Sequence, residues 1–168
     1  MEIAKGDEVE LVIEALSGEG KTVARRDGLV FFVEHAVPGD TVRARVWKLQ
    51  KNFAEARAVE ILQPSPLRAD PQCKHFGVCG GCKWQHLSYP AQLTFKRQLV
   101  VDAFRRIGGF VDPDVRPVLG CDSPVFYRNK IGFAFSRLRG LTREEVGTSP
   151  ALVEGIAVSL HIPIRYGR

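Results

Sequence analysis

Cys73, Cys79 and Cys82 fall within ten residues in the pattern Cys-x5-Cys-Gly-Gly-Cys, which crowds soft sulfur donors onto one short loop. Thiolates in that density suit a zinc ion or an iron–sulfur cluster. Gly80-Gly81 lets the backbone turn tightly enough for Cys79 and Cys82 to face one centre, because glycine reaches left-handed conformations without steric cost. Both kinds of site normally take four protein ligands, and the sequence has one further cysteine, Cys121, as a possible fourth. A zinc alternative would use Cys82-x3-His86 as part of a Cys3His set, although the first spacer is longer than is usual for zinc. His75 and His86 otherwise read as groups around the site or on the surface. Disulfides fit poorly, since the start Met1-Glu2-Ile3-Ala4-Lys5 is no export signal and the chain is rich in Lys, Arg and Glu. An iron–sulfur cluster on Cys73, Cys79 and Cys82 is the first expectation.

The second candidate chemistry is phosphate recognition. The net charge of +5 is unevenly distributed: residues 1–66 carry about −2 and residues 67–168 about +7. Lys and Arg that displace condensed counterions supply most sequence-independent affinity for nucleic acid. The stretch Val125–Ser136 alternates apolar with basic or polar groups over its second half and reads as a strand with one buried face, in which Arg128, Asn129 and Lys130 by themselves read as a structural cluster of salt bridges and hydrogen bonds. Lys96, Arg97, Arg105 and Arg106 either contact phosphate or form a solvated helix face. No stretch approaches the ~20 apolar residues of a membrane helix. The expectation is a cytoplasmic protein with no membrane association and no obligate protein partner.

Three modules must hold these groups. Residues 1–66 read as five short strands: alternation at Val9, Leu11 and Ile13, the β-rich run Leu29–Val33, alternation at Val42, Ala44 and Val46, and Phe53–Ile61. Ser17-Gly18-Glu19-Gly20, Asp27-Gly28 and Pro38-Gly39-Asp40 are the turns between them. That spacing predicts a small closed barrel of the oligonucleotide-binding type, so the fold class is mainly β, followed by a small α+β region with the cysteine-rich loop. Residues 67–110 hold that loop and one helix, capped by Ser88, with Pro90 in its first turn. Leu93, Val100, Phe104 and Ile107 form its apolar face, and Gly108-Gly109 stops it. Residues 111–168 begin a further β region. On the barrel, Trp47, Phe53, Phe31 and Arg45 are candidates to meet bases and backbone, with Phe31 and Phe53 alternatively filling the core.

Gly6-Asp7-Glu8-Val9, Gly18-Glu19-Gly20-Lys21, Val37-Pro38-Gly39-Asp40 and Phe53-Ala54-Glu55-Ala56-Arg57 resemble a TRAM domain. With the cysteine block and Gln85-His86, the arrangement resembles the N-terminal part of the iron–sulfur RNA (uracil-C5) methyltransferases that make 5-methyluridine. The resemblance implies an RNA partner, rRNA or tRNA, with RNA contacts at Arg128, Asn129 and Lys130. It also implies a 4Fe-4S cluster of structural role, and S-adenosylmethionine as the cofactor of a full-length protein. The stretch Ser159–Arg168 looks like the family segment before the fourth cluster cysteine, and Cys121 does not match that position. No catalytic residue and no S-adenosylmethionine-binding residue is assigned, because no doubly wound unit is apparent; the chain alone is expected to be inactive. A stand-alone RNA-binding protein with a zinc or iron–sulfur knuckle is the alternative, and a redox-sensing module a further one.

Overall fold

The structure is a computed structural model that describes residues 3–73, 76–77, 81–125, 134–136 and 157–159. It divides into two compact units, one of residues 1–70 and 86–122, the other of residues 71–85 and 123–168.

The first unit is built on a six-stranded sheet of β1 (Glu8–Val12), β2 (Ala15–Leu16), β3 (Thr22–Arg26), β4 (Leu29–Glu34), β5 (Thr41–Leu49) and β6 (Phe53–Gln63), in the order β1-β5-β6-β4-β3-β2. Strand alternation was expected to bury every second residue, and it does. Val9, Leu11, Ala24, Phe31, Val33, Val42, Ala44, Val46, Ala54 and Ala56 turn inward as one core, and the residues between them line the outer face. All neighbours are antiparallel except β4 and β6, which run parallel with Phe31 opposite Ala54 and Val33 opposite Ala56. The alanines of β6 leave room on the inner face for Phe31, which is fully buried.

Two expectations are corrected here. There are six strands rather than five, and the sheet is open rather than a closed ring, with β1 and β2 at its edges. The two edges are nevertheless consecutive in the chain. Between them the backbone changes partner: Ile13 N–H donates to Asp40 O (2.9 Å), and Glu14 N–H donates to Val23 O (2.8 Å). A first strand that switches from β5 to β3 at this bend curls the sheet without completing its ladder. The Asp27-Gly28 turn forms as its sequence demands, with both residues at positive φ (51° and 78°).

Helix α1 (Tyr89–Arg106) has Pro90 in its first turn, as expected, and Gly109 beyond its end at φ 72°. Ser88 sits at the N-cap but its hydroxyl makes no capping bond; its carbonyl instead accepts from Gln92 N–H at 2.9 Å. The expected apolar face is also corrected. The buried residues are Ala91 and Val101, whereas Val100, Phe104 and Ile107 are exposed. In the second unit β7 (Ala134–Ser136) pairs antiparallel with β8 (Ala157–Ser159), so the strand expected over Val125–Ser136 is described only at its last three residues. Among the described residues no helix is long and apolar enough to cross a membrane.

Candidate nucleic-acid interface

The outer face of the sheet gathers aromatic and basic side chains where β5, β6 and β4 lie side by side. A register shift between Val46 and Lys48 places Trp47 and Lys48 together on that face, and Trp47 is 43% exposed. Lys48 lies opposite Glu55 of β6, and Glu55 lies opposite Phe32 of β4. Lys48 Nζ donates to Glu55 Oε1 at 2.8 Å, and Lys21 Nζ, from the turn before β3, to Glu55 Oε2 at 2.5 Å. Each lysine also rides over a ring, Lys21 at 5.8 Å from Trp47 and Lys48 at 5.6 Å from Phe53, within cation–π range. Phe53 and Phe32 meet edge to face at 5.8 Å. The hydrogen bonds from Lys21 and then Lys48 hold the Glu55 carboxyl below its ordinary 4.5, against the opposing effect of its burial.

Elsewhere on this face the charges cancel in pairs. Arg45 donates to Glu8 through Nη2 (2.6 Å) and Nε (3.1 Å), Arg57 to Glu34 (3.0 and 3.2 Å), and Arg43 to Glu60. Registered pairing puts Glu8, Arg45, Arg57 and Glu34 in one row across four strands. Arg45, a sequence candidate for phosphate contact, is thus an exposed but ion-paired group. Trp47 is open, Phe53 is half-buried on the outer face, and Phe31 belongs to the core. Lys21, Lys48, Glu55 and Phe32 were not selected from the sequence; alternation with the core positions could have found Glu55 and Phe32, but not Lys48, which follows a register shift, nor Lys21, which precedes β3.

The other sequence candidates are less closely described. Cys73 and Cys82 are exposed, and neither they nor Cys121 is disulfide-bonded. The Cys73 amide donates to Gln85 Oε1 at 3.1 Å across the loop. Cys79 and His75 lie outside the described residues, as do Arg128, Asn129 and Lys130. Among the described residues no three His, Cys, Asp or Glu side chains are grouped to hold a metal. The Cys121 amide donates to the Tyr89 hydroxyl at 2.7 Å.

Residues 4–59 match the TRAM domain. A Bacteroides thetaiotaomicron protein named as an uncharacterized RNA methyltransferase is 45% identical over 88% of this chain and 33% of its own length. One from Chlorobaculum tepidum, with a similar name, is 41% identical over 95% of this chain and 34% of its own. The chain carries a TRAM domain and, over most of its length, is similar to proteins named as RNA methyltransferases. It spans about a third of the length of these curated relatives. A solved tRNA (uracil-54, C5)-methyltransferase of Pyrococcus abyssi, in complex with S-adenosyl-L-homocysteine, is 32% identical over 60% of this chain and 21% of its own, with a TM-score of 0.38.

The TRAM domain is fastened to the chain that follows it by a buried carboxylate. Asp40 is wholly buried. Its Oδ2 accepts from Val37 N–H (2.7 Å) and Arg68 Nη2 (2.8 Å), and its Oδ1 from Ser65 N–H (2.8 Å) and Arg68 Nε (2.8 Å). Four donors fill the four lone-pair positions of the carboxylate. The turn that carries it is shaped by Gly39 at φ 89°, where a Cβ would stand 2.8 Å from Ser65 Oγ. Beyond Arg68 the chain forms a neck: Arg68 bridges Leu87, Ala69 N–H donates to His86 O (3.1 Å), and Ser88 N–H donates to Leu67 O (2.8 Å). His86 is buried here rather than at the surface, and its Nε2–H donates to Ala36 O at 3.1 Å. Burial pushes its pKa below the ordinary 6.5, with the Arg68 charge adding to the shift and Ala36 and Asp40 opposing it. The sequence marks Asp40 only as a turn and motif residue and does not pair it with Arg68, from which 28 residues separate it.

Proposed function

We propose that this chain is the RNA-recognition and cluster-bearing part of an RNA (uracil-C5) methyltransferase acting on rRNA or tRNA. The observation that carries it is the exposed Trp47 beside two lysines on the outer face of a TRAM domain. Aromatic rings with adjacent cations are what unstacked bases and their phosphates require. The methyl donor in the full-length protein is S-adenosylmethionine, in keeping with the methyltransferase names of the relatives; the residues described here serve binding rather than methyl transfer. The test is RNA binding by the chain across a salt series, with the affinity falling steeply as salt rises. Changing Arg128 and Lys130 together to Ala is expected to flatten the slope by about 0.7 to 0.9 per lost phosphate contact. Salt-independent binding, or none, would overturn the reading.

The loop thiols Cys73, Cys79 and Cys82 are proposed to hold a 4Fe-4S cluster. The donor chemistry supports it: three thiols within ten residues, with Cys73 and Cys82 both exposed and outside any disulfide. Such a cluster would act as a structural cross-link of the loop. Anaerobically purified protein is expected to be brown and to contain iron and sulfide; stoichiometric zinc without iron would replace the cluster with a zinc knuckle.

A further inference from the structure

Apart from two pairs on Glu55, every ion pair described on the sheet and the neck beside it is a match of one cation to one carboxylate: Arg25 with Glu14, Arg26 with Asp27, Arg43 with Glu60, Arg45 with Glu8, Arg57 with Glu34 and Arg68 with Asp40. Glu55 alone serves two, Lys21 and Lys48. This triad therefore carries a net positive charge where the rest of the paired surface is balanced. A lysine ammonium has three donors and no acceptor. Each of these two spends one donor on Glu55, so both keep donors to spare, and the shared carboxylate fixes where those donors point. The Glu55 side chain is 11% exposed, against 28% for Lys21 and 43% for Lys48. The anchor is thus recessed and the cations stand above it. Trp47 flanks the first lysine and Phe53 the second.

We infer that Lys21, Lys48, Trp47 and Phe53, organised by Glu55, form a subsite for one dinucleotide step of single-stranded RNA. The two lysines share the phosphate, and one unstacked base lies against each ring. The inference rests on the RNA-binding reading above and narrows it to this part of the outer face. A duplex does not suit the subsite, because paired bases present edges rather than faces and leave the rings nothing to stack on. The paired arginines of the same face make a poor phosphate site by comparison. Each of those guanidinium charges is matched by a carboxylate of its own, whereas Lys21 and Lys48 share one between them.

The experiment uses the 168-residue chain, a fluorescently labelled oligouridine and a duplex of equal length, with anisotropy measured over a salt series. Trp47→Ala is expected to weaken oligouridine binding by about 5- to 100-fold, the loss of one stacked base, while leaving the salt slope unchanged. The triple variant Lys21→Gln, Glu55→Gln, Lys48→Gln keeps hydrogen-bonding groups but removes the charges, and should flatten the slope by about 0.7 for each lysine that contacts phosphate. Glu55→Gln alone keeps both cations and should not flatten it. Thermal unfolding of each variant separates misfolding from lost binding. As a measurement on a folded protein with its site intact, Trp84→Phe leaves Trp47 as the one tryptophan, and its fluorescence should be quenched by oligouridine. Wild-type binding with no effect of Trp47→Ala and no quenching overturns the subsite while the RNA-binding reading stands. Equal affinity for the duplex also overturns the subsite. Absence of RNA binding by the wild-type chain at low salt overturns the RNA-binding reading itself.

Discussion

Asp40 and Glu55 are both poorly exposed carboxylates that hold two or more cationic donors, yet they do opposite work. Asp40 receives Arg68 through a rigid two-pronged fork and two backbone amides, so it is saturated and locks one conformation. Glu55 receives two flexible lysines, each with donors in reserve, at the margin of solvent. The comparison shows that a buried acid becomes a fastener or a platform according to whether its own acceptor positions are filled and how rigidly its partner cations are held. Arginine, with its planar fork, suits the first role and lysine the second.

The sharpest way to break the contrast is Asp40→Ala, which leaves Arg68 beside an apolar side chain and orphans the Val37 and Ser65 amides. Removing one partner of a buried pair typically costs about 3–5 kcal/mol, and denaturant unfolding should register a loss of that order. Gly39→Ala tests the same turn through its backbone. A side chain at φ 89° should cost about 1–3 kcal/mol, and trimming Ser65 as well should recover only the steric part. Glu55→Gln should change stability by about 1 kcal/mol or less, since its lysines can turn to water. Arg45→Ala, which breaks an exposed pair, should cost least, at about 0.2–1 kcal/mol.

Acid titration separates the two carboxylate regions in a different way. His86 is held below its ordinary 6.5, so the unfolded chain takes up the proton first. Its contribution to stability is complete above about pH 6.5 and is lost as the pH falls from there. Glu55 is held below its ordinary 4.5, so its contribution is complete above that value and is lost only as the pH falls through its lowered folded pKa. Stability measured against pH should therefore decline in two stages. His86→Gln is expected to remove the first and Glu55→Gln the second; a first stage that survives His86→Gln would assign it elsewhere.

The sequence was legible where a physical rule acts locally. Alternation at Val9-Leu11 and Val42-Ala44-Val46 declared the inner face, Asp27-Gly28 declared its turn, and Pro90 and Gly109 bracketed α1. It was ambiguous where both faces are apolar: in Leu29-Val30-Phe31-Phe32-Val33 nothing local says that Phe31 is core and Phe32 is surface, and the pairing with β6 decides it. It was silent where distant residues meet, as at Asp40–Arg68, or where a register shift turns Trp47 and Lys48 to one side. The helix misled the reading for another reason. Val100, Phe104 and Ile107 have the spacing of a buried stripe, but the described residues bury Ala91 and Val101 instead.

The neck formed by residues 67–69 and 86–88 has a consequence for how the protein can vary. The two ends of the segment between Asp70 and His86 are clipped together by backbone hydrogen bonds, and the clip is anchored at Asp40, so the first unit closes on itself whatever the length of chain between its two parts. Doubling the length of a flexible loop costs only about 0.6 kcal/mol in closure entropy. A lengthened segment should therefore leave the stability of the six-stranded sheet almost untouched, whereas changes to Asp40, Ser65 or Arg68 should not.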